Sequence, residues 1–243
     1  MIADLKRLWQ EAFGDSVETV EAFFATGFSE DRFNCILEQG VPVSALYWFD
    51  CMLDGNKIAY IYAVATAKSH QGKGFAHKLM ESTHAILKEK EYAGAILVPG
   101  SEKLFDFYKE IGYRVATKVE EFSAVATDLP VFISEITPAE YAAWRRIYLP
   151  EGGVLQEWEA LSYLATYTKF YKGEDFLLSA TKEKDTLLVH EILGNTNYSG
   201  NILCALACRA GRFRTPGADR DFAMFLPFRE DCPRPRYFGL ALD

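Results

Sequence analysis

Ile58-Ala59-Tyr60-Ile61-Tyr62-Ala63-Val64-Ala65-Thr66, then Gln71-Gly72-Lys73-Gly74-Phe75-Ala76, then Leu79, Met80, Thr83, Ile86 and Leu87 on one helical face: this succession, inside residues 57–114, decides how the chain is read. The first run is apolar and reads as a strand, and the last has the spacing of an amphipathic helix. Glycines punctuate the turn between them. Strand, Gly-rich turn and helix in that order suit a phosphate. The first N–H groups of a helix have no partner inside it, and the helix dipole places partial positive charge there. Glycine has no Cβ, so a pyrophosphate can approach the main chain closely.

Two common phosphate loops fail on spacing. The P-loop pattern Gly-x-x-x-x-Gly-Lys-Ser/Thr is not met, because Lys73 sits between Gly72 and Gly74 and Phe75 follows. The dinucleotide fingerprint needs a third small residue, and Gly72, Gly74 and His77 do not supply it. What remains is Gln-x-x-Gly-x-Ala, carried by Gln71, Gly74 and Ala76.

That pattern resembles the acyl-CoA loop of the GCN5-related N-acetyltransferases, the GNAT family. Its flanks extend the resemblance. Ala63-Val64-Ala65-Thr66 stands where the family's fourth strand ends, and Gly94-Ala95-Ile96-Leu97-Val98-Pro99 reads as the fifth. The run from Leu104 through Tyr108 to Gly112-Tyr113 is similar to the family's Leu-Tyr-x-x-x-Gly-Phe/Tyr signature. The alternative is a plain βα turn in some other α/β protein. The resemblance covers the first half of the chain. It implies an α/β (α+β) fold: a mixed, mostly antiparallel twisted sheet flanked by helices.

It also implies roles. Main-chain N–H groups of Gly72, Gly74, Phe75 and Ala76 would hold the pyrophosphate of acetyl-CoA, the cosubstrate. Gln71 would order the loop, and Lys73 would add positive charge. The backbone of Val64 and Thr66 would pair with the pantetheine amides like one more strand, and the Val64 N–H would meet the developing oxyanion. Tyr108 would protonate the leaving thiolate, since a phenol is protonated at neutral pH. Ser101 stands where many members carry an Asn that contacts the pantetheine arm. No base has a motif behind it. Glu38, Asp50 and Glu121 lie on expected strands and read as salt-bridged surface carboxylates.

Composition narrows the partners. The 243 residues carry a net charge of −8 with no block of Lys or Arg, which argues against nucleic acid and anionic membranes. The start lacks the basic and apolar blocks of a signal peptide, and no apolar run approaches the roughly 18 residues needed to span a bilayer. Five scattered cysteines fit reduced thiols of the cytoplasm. Cys204 and Cys208, one helical turn apart, have no Cys or His nearby to complete a zinc site. No metal is expected. His77 and His84 read as surface positions, and His70 as an exposed turn residue.

In chain order, Asp4 is expected to cap a first helix that ends at Gly14, and Asp15 or Ser16 to open a second that stops near Gly27. Trp9, Phe13, Phe23, Phe24 and Phe28 form either core or the wall of an acceptor pocket. Strands are expected at 33–38 and 43–53, with a tight turn at Asp54-Gly55-Asn56. Asp128-Leu129-Pro130 reads as a linker between an acetyl-CoA-binding catalytic unit, 1–127, and a second unit, 128–243. The second unit repeats the order of elements: a helix at 138–149, a hairpin around 182–185, a helix at 195–210, late strands at 222–228 and 237–242. Gly194-Asn195-Thr196-Asn197 lacks the Gln-x-x-Gly-x-Ala pattern, so this half reads as a degenerate copy, as in tandem members of the family.

The function implied is acetyl transfer from acetyl-CoA to a primary amine of a small molecule or a peptide N-terminus, by a monomer or homodimer. The alternative is an acyl-CoA-binding module of the same fold without turnover.

Overall fold

The computed structural model describes residues 1–242. Helix α1 (Ile2–Phe13) buries Leu5, Leu8 and Trp9 and stops at Gly14, whose φ of 73° is open to glycine at little cost. Its N-cap is Met1 rather than Asp4. Asp4 lies in the first turn and pairs with the N-terminal ammonium at 3.1 Å. Helix α2 (Val17–Thr26) is capped by Ser16, whose hydroxyl accepts the Thr19 N–H at 3.2 Å. Strands β1 (Phe33–Glu38), β2 (Val41–Leu53) and β3 (Asn56–Thr66) form an antiparallel meander. Asp54 and Gly55 both take positive φ, the two-residue turn whose twist matches a hairpin.

Helix α3 (Phe75–Glu89) then crosses over to β4 (Gly94–Leu97), which runs parallel to β3. Helix α4 (Glu102–Glu110) and the short β5 (Arg114–Val115) follow. His84 is not a surface residue. It is buried on the sheet-facing side of α3, with Nε2 2.9 Å from the Tyr113 hydroxyl.

The rest of the chain comprises β6 (Lys118–Val125), β7 (Ser134–Ile136), α5 (Pro138–Tyr148), β8 (Leu155–Gln156), α6 (Glu159–Leu164) and β9 (Lys169–Lys172). It continues with β10 (Phe176–Glu183), β11 (Thr186–Gly194), α7 (Ser199–Ala205), β12 (Ala210–Pro216), β13 (Arg220–Asp221) and β14 (Met224–Pro227). Thr137 and Glu140 close a capping box at the start of α5.

There are two seven-stranded sheets, ordered β1-β2-β3-β4-β14-β5 with β8 beside β2, and β13-β6-β12-β11-β10-β9-β7. In each, one parallel pair (β3 with β4, β11 with β12) interrupts antiparallel pairing. The second sheet thus repeats the first. Sheet membership does not follow chain order. Strand β6 pairs with β12 in the second sheet, and β14 pairs with β4 and β5 in the first. The unit 1–127 therefore lends β6 to the second sheet, and the unit 128–243 lends β8 and β14 to the first. One apolar core runs through both: Phe23, Phe49 and Tyr60 share it with Leu177, Phe225 and Phe238.

Two expected elements differ. Residues 237–242 make no strand beyond the single bridge of Tyr237 to Gly153. They are buried because side chains hold their backbone: Tyr60 accepts the Leu242 N–H at 3.2 Å, and Gln156 donates to the Leu240 carbonyl. The expected helix at 195–210 shortens to α7, since Ala207 turns to a φ of 51° and Ala210 enters β12. No helix among the described residues is long and apolar enough to cross a membrane.

Candidate active site

Gly72 and Gly74 take φ of 72° and 79°, the left-handed region that a side chain strains. A Cβ at either would meet nothing within 4 Å, so backbone shape and not crowding requires glycine there. Gly74 is the N-cap of α3. Among the described residues, no carbonyl or side chain outside α3 accepts from the N–H groups of Gly72, Gly74, Phe75 or Ala76. The loop itself is tied down. Gln71 donates from Nε2 to the Thr66 carbonyl at 3.2 Å, the Lys68 N–H donates to Glu11 at 2.7 Å, and half-buried His70 sits 2.9 Å from Glu38. Lys73 is exposed. The residues expected to cradle a pyrophosphate thus form an open, pre-shaped arc of donors.

Strand β3 supplies the second feature. Its pairing with β4 covers only Ile58 to Tyr60, and beyond that its outer edge has no strand partner. Across from β2, Tyr62 pairs with Tyr47 and Ala65 with Ala45, so Ala63 and Val64 together oppose Leu46. This is a β-bulge, with Ala63 at a φ of 49°. It bends β3 where β4 leaves it, and the sheet opens there. Thr66 lies at the end of this edge, its hydroxyl 2.8 Å from that of Ser44.

A cavity of about 860 Å³ extends from the opening. Ala63 and Val64 of β3, Val98 to Gly100 after β4, and Leu104 and Tyr108 of α4 form one part of its wall. The Tyr108 ring is buried against Phe107 and Tyr113. Its hydroxyl has no partner among the described residues and reaches the cavity. Burial pushes that phenol up to about 12, which keeps it protonated and a donor at neutral pH. Ser101 is different. It is the exposed N-cap of α4, makes no side-chain cap, and does not line the cavity.

The rest of the wall was not readable from motifs. Trp9, Phe13, Asp15 and Glu18 come from α1, α2 and their connection. Trp9 donates from Nε1 to Asp15 at 2.7 Å. Of the other expected aromatics, Phe23 lies wholly in the core and does not reach the cavity. The second half adds Tyr163, Tyr167, Arg220 and Phe222. The Tyr163 hydroxyl lies 3.3 Å from that of Tyr62, joining the two halves across the site. Trp9 and Phe13 are among the aromatics expected to form core or pocket wall, whereas for the second half the sequence held only scattered aromatics around residues 158–167.

The corresponding place in the second half is closed. A Cβ at Gly200 would come 2.7 Å from the Thr127 methyl and 2.9 Å from the Val125 carbonyl. Thr127 donates to the Gly200 carbonyl at 3.0 Å, and the Asn195 side chain accepts the Asn197 N–H.

A bulged, splayed sheet edge beside a glycine-opened helix mouth defines the acyl-CoA N-acyltransferase fold. The first part of the chain, residues 1–116, matches the family model described as the acetyltransferase (GNAT) domain. Among curated proteins, none matches the chain. Solved structures of the same fold include a GCN5-related N-acetyltransferase from Kribbella flavida, at 17% identity and a TM-score of 0.70 over 92% of this chain and 68% of that one. Another, from Anabaena variabilis, has 14% identity and a TM-score of 0.70 over 92% and 69%. Eis1 from Mycobacterium abscessus has 14% identity and a TM-score of 0.66 over 93% and 72%. Similarity therefore extends through both halves.

Proposed function

We propose that the protein is an N-acetyltransferase that moves an acetyl group from acetyl-CoA to a primary amine of a small molecule or peptide N-terminus. The observation that carries this reading is the Tyr108 hydroxyl, unpartnered on a buried ring, in the cavity that the split edge of β3 also lines. The open amides from Gly72 to Ala76 fit a diphosphate, and the free edge from Val64 to Thr66 fits an amide-bearing arm. Unit 1–127 carries this machinery, and unit 128–243, with its cradle closed, completes the acceptor wall.

Acetyl-CoA would supply a thioester carbonyl carbon for the amine to attack. The Val64 N–H donates to the carbonyl oxygen as charge builds on it. The C–N bond forms and the C–S bond breaks. Tyr108 gives its proton to the departing sulfur and regains one from solvent, while the attacking nitrogen loses its extra proton to water. The cavity wall holds the amine in line.

Calorimetry with acetyl-CoA, followed by thiol release with a panel of amines, tests the reading. Micromolar binding and amine-dependent release support it. Absence of binding at millimolar ligand overturns it. Binding without release for any amine identifies a module that holds acyl-CoA and does not turn it over.

A further inference from the structure

Arg220 is the only cationic side chain lining the large cavity among the described residues, and the mechanism above leaves it unused. It sits on β13, from the second half of the chain, and its side chain is 52% exposed. Its carboxylate partner is Glu121 of β6, with Nη2 to Oε1 at 2.7 Å. Glu121 is shared: Arg214 reaches the same oxygen at 3.0 Å, and Arg212 reaches Oε2 at 3.3 Å. One carboxylate thus faces three guanidinium groups. The Arg220 Cζ lies over the Phe222 ring, 5.4 Å from its centroid, and the Arg214 Cζ lies over the same ring at 4.5 Å. A guanidinium has five N–H donors, and Glu121 accepts from Nη2.

We propose that Arg220 docks an oxyanion carried by the acceptor, so that the substrate is an amine bearing a carboxylate or phosphate. This rests on reading the cavity as the acceptor site. A planar fork of donors, set beside an aromatic ring and sharing its counter-ion with two other arginines, is suited to take a planar or tetrahedral oxyanion at its edge. No ion pair has to break when that group arrives. The cosubstrate does not account for it, since Gly72 to Ala76, the diphosphate donors, lie outside the cavity wall. The remaining charged groups on the wall are Asp15, between α1 and α2, and Glu18, in the first turn of α2. They repel an oxyanion and favour the positive end of the molecule, so the charged wall also orients the acceptor.

The test reads binding rather than turnover. Calorimetry on the protein saturated with CoA compares matched probes: L-phenylalanine with its amide and with 2-phenylethylamine, and O-phosphoethanolamine with ethanolamine. The first set reads carboxylate and the second phosphate. In at least one set the anionic member should bind about ten-fold or more tighter than its neutral partner. Arg220→Gln should erase that difference, and Arg220→Lys should restore part of it. Arg212→Gln, which pairs with the same Glu121 but lines a separate cavity of about 230 Å³, should leave it intact. CoA affinity and thermal midpoint should be unchanged in all three variants. The proposal is overturned if no anionic probe is preferred, if Arg220→Gln weakens neutral probes equally, or if it weakens CoA instead. A preference that Arg220→Gln abolishes, in a protein that never transfers acetyl, keeps the docking site and removes only the enzymatic reading.

Discussion

The Arg145 guanidinium and the Glu191 carboxylate meet in parallel, Nε to Oε2 at 2.7 Å and Nη2 to Oε1 at 3.0 Å, with neither side chain exposed. Tyr141 and Tyr237 donate to the two carboxylate oxygens at 2.9 and 3.0 Å, and Arg145 donates to the Val154 carbonyl at 3.1 Å. The network joins α5, β11 and the last residues of the chain. A buried pair gains little over a well-packed apolar pair, but removing one partner strands a charge. Arg145→Ala or Glu191→Ala should each cost about 3–5 kcal/mol in urea unfolding. The double change Arg145→Met with Glu191→Leu should cost less than either. A larger loss in the double variant would show that the network is worth more than its apolar replacement.

Tyr108→Phe keeps the ring and removes its hydroxyl. Turnover should fall by about a hundred-fold or more, the usual worth of a positioned acid. CoA affinity by calorimetry should stay within about two-fold, because the cradle is untouched. A parallel loss of CoA binding would mean that the tyrosine holds the cosubstrate rather than serving the chemistry.

Gly74→Val places a side chain at a φ of 79° with no steric obstacle around it. The backbone must bear about 1–2 kcal/mol of strain or swing its amides away from the helix mouth. CoA affinity should drop far more than stability. Gly200→Ala is the converse: its Cβ would collide with Thr127 and Val125, so the thermal midpoint should fall while CoA binding holds.

Burial, and after it the Lys88 charge, push the His84 ring down to about 4. Unfolded, the ring titrates near 6.5, so between those values the unfolded chain binds a proton that the folded chain does not. The stability His84 contributes as a neutral ring is complete above about pH 6.5 and is lost as pH falls toward 4. Urea midpoints measured near neutral pH and near about pH 5 should differ less in His84→Gln than in the wild type. Equal slopes would show that other groups drive the acid response.

The turn at Asp54-Gly55, the stop at Gly14, the Ser16 cap and the glycine loop before α3 were all legible as residues. Each depends on conformational preferences of a few neighbours, and the structure has them where the pattern puts them. The succession of strand, loop and helix was equally clear, because alternation and helical spacing persist over many residues. Strands β9 and β12 were not seen. Their sequences, Lys169-Phe170-Tyr171-Lys172 and the stretch from Ala210, carry Lys or Arg within short runs, and only their neighbours in the sheet make them strands. His84 misled for a related reason: a polar residue on a mixed helix face is buried only if something such as Tyr113 waits to receive it.

By itself the amino-acid order determined the glycine loop before α3, the placing of Val64 on the strand before it and of Tyr108 on a later helix, and the repetition of the pattern in the second half. Those features rest on local backbone geometry, which neighbouring side chains dictate. Only the tertiary structure decided the exchange of β6, β8 and β14 between sheets and the composition of the cavity wall. Tyr62 meets Tyr163 across 101 residues, and Tyr60 holds Leu242 across 182. Contacts at such separations are chosen by how two whole layers bury their apolar faces together, a condition that no single stretch of the chain contains.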